Sequence, residues 1–153
     1  MKHRNLWFAL SLFIAACNNS GTIFHSYKPL PQEGWERCDT ICFDVPEAKE
    51  NIDGTLYVGL RTAAYIGIQD IVIAVEQAGE AGKLLRYDTI RYALTDADGK
   101  ALTGGVNKLQ YETECLPFLC GKGKSISVRI HHLMRNELIP GITEVGIRVE
   151  SKP

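Results

Sequence analysis

A chain of 153 residues with 17 basic and 18 acidic side chains and 45% hydrophobic residues is long enough for one domain with its own core and too short for two. Its near-neutral balance lacks the basic footprint of a nucleic-acid binder, so no nucleic-acid partner is expected. No internal repeat or low-complexity tract divides the sequence, and past residue 17 no apolar run is long enough to span a bilayer.

The chain opens "MKHRNLWFALSLFIAACNNSGT". Lys2 and Arg4 form a positive n-region, and Leu6 to Ala16 an apolar stretch of secretory length, well short of the roughly 20 residues of a membrane span. Ile14-Ala15-Ala16-Cys17 then has the form of a lipobox: small residues fit the peptidase pocket, and the cysteine thiol becomes a thioether to diacylglycerol. Residues 1–16 are therefore expected to be a cleaved lipoprotein signal peptide. Cys17 becomes the new N-terminus, open to a further acyl chain such as palmitate, and several chains on one residue give lasting attachment. An ordinary secretory signal with an incidental cysteine is the alternative. Cleavage leaves 15 basic against 18 acidic residues, a net charge of −3. Asn18 to Thr22 is small and polar, as a tether should be, and no acidic cluster follows the cysteine. The expected location is the cell envelope, lipid-anchored, on the outer membrane and facing the periplasm.

Residues 17–34 are expected to hold the lipidated cysteine, the tether and a docked arm. The prolines of "FHSYKPLPQEGW" disfavour regular structure, while Tyr27 and Trp35 offer apolar surface to pin the segment down. Trp35 is expected to pack, with an exposed ligand platform as the other option. From residue 35 to 153 short runs of period two follow one another. Ile41, Phe43 and Val45 alternate with Thr40, Cys42 and Asp44; Leu56, Val58 and Leu60 share a face; "DIVIAVE" is continuous enough for a central strand. Further on, Ile90, Tyr92 and Leu94, then Ile126, Val128 and Ile130, then Val145, Ile147 and Val149 repeat the pattern. One short helical turn fits Leu133–Leu138. Strands at such spacing without intervening helices imply an all-β fold, an antiparallel β-sandwich in a single domain, with jelly-roll-like connections compatible and strand order not derivable.

Few residues invite chemistry. Asp96 and Asp98 in "TDADGKAL" suggest calcium, yet an EF-hand count puts Asn107 where a bidentate Glu is needed, and Asp-Gly suits a tight turn. His131 and His132 are adjacent and so point to opposite faces of a strand, unable to share a metal; His132 falls on the buried side with Val128 and Ile130. "GKGKS" at 121–125 lacks the glycine spacing of a phosphate loop and precedes a strand, so it is expected to be a hairpin turn. No nucleophile elbow, zincin helix or P-loop occurs, and no metal or cofactor is expected.

Besides Cys17 there are Cys38, Cys42, Cys115 and Cys120. In an oxidising compartment an even set favours disulfides over zinc. If 38–42 is extended, its end Cα atoms lie about 13 Å apart, too far for a bridge that needs less than roughly 7 Å. Two cross-links, Cys38–Cys120 and Cys42–Cys115, between neighbouring antiparallel segments satisfy the spacing if a bulge near Pro117 absorbs one residue. The rival is a local Cys115–Cys120 loop with Cys38–Cys42. No CxxC at a helix start suggests thiol redox catalysis.

Three stretches in order, "HSYKPLPQEGWERCDTICFDVP", "LRYDTIRYALTDADGK" and "VRIHHLMRNELIPGITEVGIRVE", make the mature chain resemble the gliding-motility lipoprotein GldH family of Bacteroidota. That resemblance aligns the family lipobox with Ile14–Cys17. It implies a cell-envelope lipoprotein that, in gliding members, serves surface motility together with other gliding lipoproteins and their secretion machinery. The four further cysteines depart from the family's pattern and suggest an oxidised, periplasm-adapted subgroup. No active site is carried over.

Three functions compete. The first is a non-catalytic scaffold or interaction subunit of the envelope or motility machinery, attached to the membrane by lipid and docking protein partners. The second is a carbohydrate (glycan) binding module using Tyr57, Tyr65, Tyr87 and Tyr111, although tyrosines at half-buried positions are common in sheets. The third, a hydrolase, lacks two carboxylates that sequence alone can pair. The expectation is that the chain is not an enzyme.

Overall fold

The computed structural model describes residues 21–103, 108–112 and 116–152. Its strands are β1 (Thr22–Pro29), β2 (Trp35–Glu36), β3 (Ile41–Val45), β4 (Ile52–Ala63), β5 (Asp70–Ala78), β6 (Leu84–Ala93), β7 (Lys108–Glu112), β8 (Leu116–Cys120), β9 (Ile126–His132), β10 (Leu138–Ile139) and β11 (Ile142–Ser151). The one helical element described is a 3-10 turn at Glu80–Gly82. Two large antiparallel sheets and a two-stranded pair, β2 with β10, result. The first runs β1-β11-β4, with β7 and then β8 along the far side of β4; the second runs β3-β9-β5-β6.

Alternation explains why these segments pair and stack. In β4, Leu56, Val58 and Leu60 point inward, and in β11 Val145, Ile147 and Val149 do the same. Across from them stand Phe43 and Val45 of β3, Ile126, Val128 and Ile130 of β9, and Ile71, Ile73 and Val75 of β5, all buried. Each such side chain contributes about 1.5–3 kcal/mol on leaving water. A strand slipped by one residue would turn its whole set outward, so burial also fixes the register.

The pairings nest. β1 lies beside β11, β3 beside β9, β4 beside β7 and β8, and β5 beside β6. A chain folded as one long hairpin and then rolled up has this order, which is that of a jelly roll. β7 and β8 are two parts of one edge: Glu112 faces Gly59 and Leu116 faces Leu56, so four residues span three and the register gains one.

Four segments differ from the sequence reading. The expected arm is strand β1, paired with β11 from Thr22 to Pro29, so the sandwich starts at Thr22 and not at residue 35. Pro29 is accommodated because an outermost strand has one side on which no donor is needed. Around Leu133–Leu138 the chain bends without forming a helix, then enters β10, which pairs with β2 through Ile139 and Trp35. "GKGKS" is a turn, closed by the Lys124 N–H to the Gly121 carbonyl with Gly123 at φ 74°, but it carries the chain from one sheet to the other and does not form a hairpin.

The fourth concerns the cysteines. β3 pairs with β9 and β8 pairs with β4, in different sheets, so the two cysteine-bearing stretches are not antiparallel neighbours. The thiols of Cys38, Cys42 and Cys120 are free, which replaces both the Cys38–Cys120 and the Cys38–Cys42 pairings. Cys42 points outward from β3, while Cys120 is buried with its thiol donating to the Lys124 carbonyl at 3.2 Å. Cys115, and with it the Cys42–Cys115 and Cys115–Cys120 pairings, lies outside the described residues, as do the leader 1–16 and Cys17.

Candidate functional site

The outer face of the first sheet is built from the alternate positions that the core does not use. Tyr27 lies opposite Gly146 of β11, which in turn lies opposite Gly59 of β4. Two glycines side by side leave a flat track, and the Tyr27 ring lies across it: a Cβ on Gly146 would stand 2.5 Å from the ring, and one on Gly59 would run into the phenol oxygen. Onto this ring stacks the Arg61 guanidinium, 3.8 Å from its centroid. One step along, Arg148 stacks over Tyr57 at 4.1 Å.

Acidic partners hold both arginines in place. Arg61 donates to Glu144 at 2.6 Å and to the Gln110 amide oxygen at 3.2 Å. Arg148 is shared between Glu112, at 3.0 Å, and Glu150. Hydrogen bonding to Glu112 raises the Arg148 pKa further, so it is charged at any ordinary pH. Burial pushes the Tyr27 phenol up against the pull of Arg61, so it stays neutral. The result is a pre-ordered surface of two arginine–tyrosine stacks framed by carboxylates. The sequence signal for it was glycine in phase with outward-facing residues: Gly59 between Tyr57 and Arg61, and Gly146 between Glu144 and Arg148.

Trp35 and His132 form a second cluster, inside the sandwich. Trp35 is fully buried, which removes the ligand-platform option, and its ring meets that of His132 edge-on at 5.5 Å. His132 Nδ1 accepts the Met134 N–H at 3.3 Å, which leaves Nε2 to carry the proton and donate it to the Trp35 carbonyl at 3.2 Å. Burial lowers its pKa against the lift from that carbonyl bond. Both ring nitrogens thus serve the fold. His131 projects from the opposite side of β9.

A cluster that the sequence reading did not assemble is Glu36, Cys38 and Asp39, whose ligand-type atoms lie within 4.8 Å of one another on an exposed turn. The Cys38 thiol donates to the Glu36 carboxylate at 3.5 Å, and that bond raises its pKa and keeps it protonated.

The remaining sequence candidates do not converge. Tyr57 is on the outside of the first sheet, Tyr87 on the second, Tyr65 on the β4–β5 loop and 83% exposed, and Tyr111 in the core. One cleft, of about 790 Å³ beside Ile23, Ala48 and Lys152, has no aromatic lining. The other, about 730 Å³, runs between β6 and β7 and touches Tyr92 and Tyr111. Both of those rings are buried and their hydroxyls donate to backbone, Tyr92 to Val58 at 2.6 Å and Tyr111 to Leu94 at 2.7 Å. Asp96 is spent within its turn, its carboxylate accepting the N–H groups of Asp98 and Lys100.

A family model described as GldH lipoprotein matches residues 22–149. A gliding motility lipoprotein of that name from Flavobacterium johnsoniae is 24% identical over 163 aligned positions, covering 99% of this chain and 98% of that protein. Among solved structures, a CocE/NonD family hydrolase from Staphylococcus aureus is similar at 10% identity and a TM-score of 0.43, covering 88% of this chain and 32% of that one. An arabinose-bound α-L-arabinofuranosidase is similar at 12% and 0.41, covering 81% and 23%. With both TM-scores under 0.5, neither hydrolase lends an activity to this chain.

Proposed function

The chain belongs to the GldH lipoprotein family, and on that premise we propose that it is a non-catalytic interaction subunit of the cell envelope, lipid-anchored through Cys17 on the periplasmic side of the outer membrane. Its docking surface is the outer face of the first sheet, and the observation that carries this is the pair of arginine–tyrosine stacks at 3.8 and 4.1 Å. Arginine and tyrosine are the residues that dominate binding energy at protein interfaces, and side chains already locked in place lose little entropy when a partner arrives. Their flat setting suits a protein surface better than a small ligand, which needs concavity. Support for the absence of catalysis comes from the groups best equipped for it: His132 has both nitrogens bonded to backbone, and Cys38 is held as a neutral thiol.

The test is crosslinking and pull-down of the lipidated protein from its own envelope, beside a variant carrying Tyr57→Ala and Arg148→Ala. Specific envelope proteins recovered with the parent and lost with the variant, at equal membrane content and unchanged circular dichroism, support this function. Recovery of no specific protein, together with tight retention on a glycan array, replaces it with the carbohydrate-binding alternative.

A further inference from the structure

A two-sheet sandwich has four open edges, and each is a template for another strand unless something blocks it. On β3 the edge is five residues long and the Lys28 ammonium, reaching over from β1, donates to its Cys42 carbonyl at 2.6 Å. On β1 the register shifts between Thr22 and Phe24 and the strand stops at Pro29. On the β7–β8 side Pro117 supplies no N–H, the Gln77 amide donates to its carbonyl at 2.9 Å, and the register gains a residue. Those three edges carry the devices that proteins use against edge-to-edge pairing.

β6 carries one of them only at its start, where the register against β5 shifts between Arg86 and Leu84. It is ten residues long, free of proline and lysine, and regular against β5 from Ala93 to Arg86. Among the described residues no strand pairs with its outer side. Its first half is uncovered on both faces: Leu84, Leu85 and Tyr87 are 52%, 53% and 49% exposed. An apolar, unblocked edge of this kind is a place where something docks.

We propose that the occupant is a second copy of this chain, the two β6 strands pairing antiparallel across Arg86–Asp88 about a two-fold axis at Tyr87. The charge pattern selects that register. It sets Arg86 opposite Asp88 twice over and Tyr87 opposite its own copy. Within one copy, Arg86 and Asp88 already form a two-pronged pair at 2.6 and 2.7 Å on the same face of the strand, and the two-fold brings that pair against its inverted twin. Centring the two-fold on Asp88 instead would set the two Asp88 carboxylates against each other, which is repulsive. Backbone hydrogen bonds along the edge supply affinity and the side-chain pairs supply register, as in other strand additions. The second sheet of each copy then becomes half of one eight-stranded sheet.

Disulfide trapping tests this on the full-length anchored chain, in cells, with Cys38 and Cys42 replaced by Ser. Directly opposed residues of an antiparallel pair have Cα atoms about 4.5–5.5 Å apart, within disulfide reach. Tyr87→Cys should therefore give a disulfide-linked dimer under mild oxidation. Thr89→Cys, exposed on the same strand, is its control, because position 89 would stand about 13 Å from its own copy. A dimer with Tyr87→Cys at least tenfold more abundant than with Thr89→Cys is the expected result. Equal trapping of both, no trapping of Tyr87→Cys at matched expression, or trapping to a different protein overturns the proposal.

Discussion

His132 sits where a proton would be expensive. Its Nδ1 faces the Met134 N–H and its Nε2 the Trp35 carbonyl, so a second proton would have to displace the first of these bonds. The folded pKa is lowered, which means that the unfolded chain takes up a proton first as the pH falls. Stability from this group is therefore complete above the ordinary histidine pKa of about 6.5 and is lost below it, down through the folded pKa. Urea titrations at pH 8 and pH 5 should show the loss, and His132→Gln should remove that part of the slope while costing about 1–3 kcal/mol at pH 8. An unchanged slope in His132→Gln would assign the pH dependence elsewhere. At the same scale, Gly146 is kept bare by Tyr27. Gly146→Ala should cost about 1–3 kcal/mol by overpacking, and in a Tyr27→Ala background most of that cost should vanish, since the added methyl then meets no ring. Costs that simply add would show that the ring does not lie on that glycine in solution.

Strands whose inward residues alternate regularly, such as Leu56, Val58 and Leu60 or Ile126, Val128 and Ile130, are legible in the sequence because one physical requirement, burial on one face, writes them. β1 was not: none of its positions is buried and most are exposed, and its proline and polar residues resemble a linker until β11 is present to pair with it. The arginine–tyrosine face was illegible for a related reason. Tyr27, Gly146, Gly59, Arg61 and Gln110 come together only through the order β1-β11-β4-β7, and no local pattern encodes which strands become neighbours. Lys28 shows the same dependence on topology, since its ammonium reaches the Cys42 carbonyl fourteen residues away and in the other sheet. That bond is exposed, so Lys28→Met, which keeps the stem near Phe43, should change stability by no more than about 1 kcal/mol. Its visible effect should be on association: with the β3 edge unblocked, light scattering at high concentration should rise above the parent's. A large loss of stability without any change in scattering would make Lys28 a structural contact and not an edge guard.

At the scale of the whole molecule, the proposed anchor residue lies close in sequence to the folded body. The Ser151 N–H donates to the Gly21 carbonyl at 2.7 Å, so among the described residues contacts with the last strand reach back to residue 21. Only residues 18–20 separate that point from Cys17, a span of at most about 14 Å when drawn out. An anchor at Cys17, as proposed, would hold the body closely, with β1 entry, the β3–β4, β5–β6 and β8–β9 connections and the end of β11 all at the sandwich end nearest to it. Among the described residues, the core uses before Leu30 only the inward side of β1. Anchoring and folding should therefore separate cleanly. Cys17→Ser should move the protein from the membrane pellet to the soluble fraction and remove the mass of the acyl chains. The thermal midpoint should stay within about 2 °C of the parent's, because every residue of the described core lies past Cys17. If Cys17→Ser stays in the pellet after a salt wash, some other feature holds the chain to the membrane. If it leaves the pellet but melts well below the parent, the body depends on its anchor for more than position.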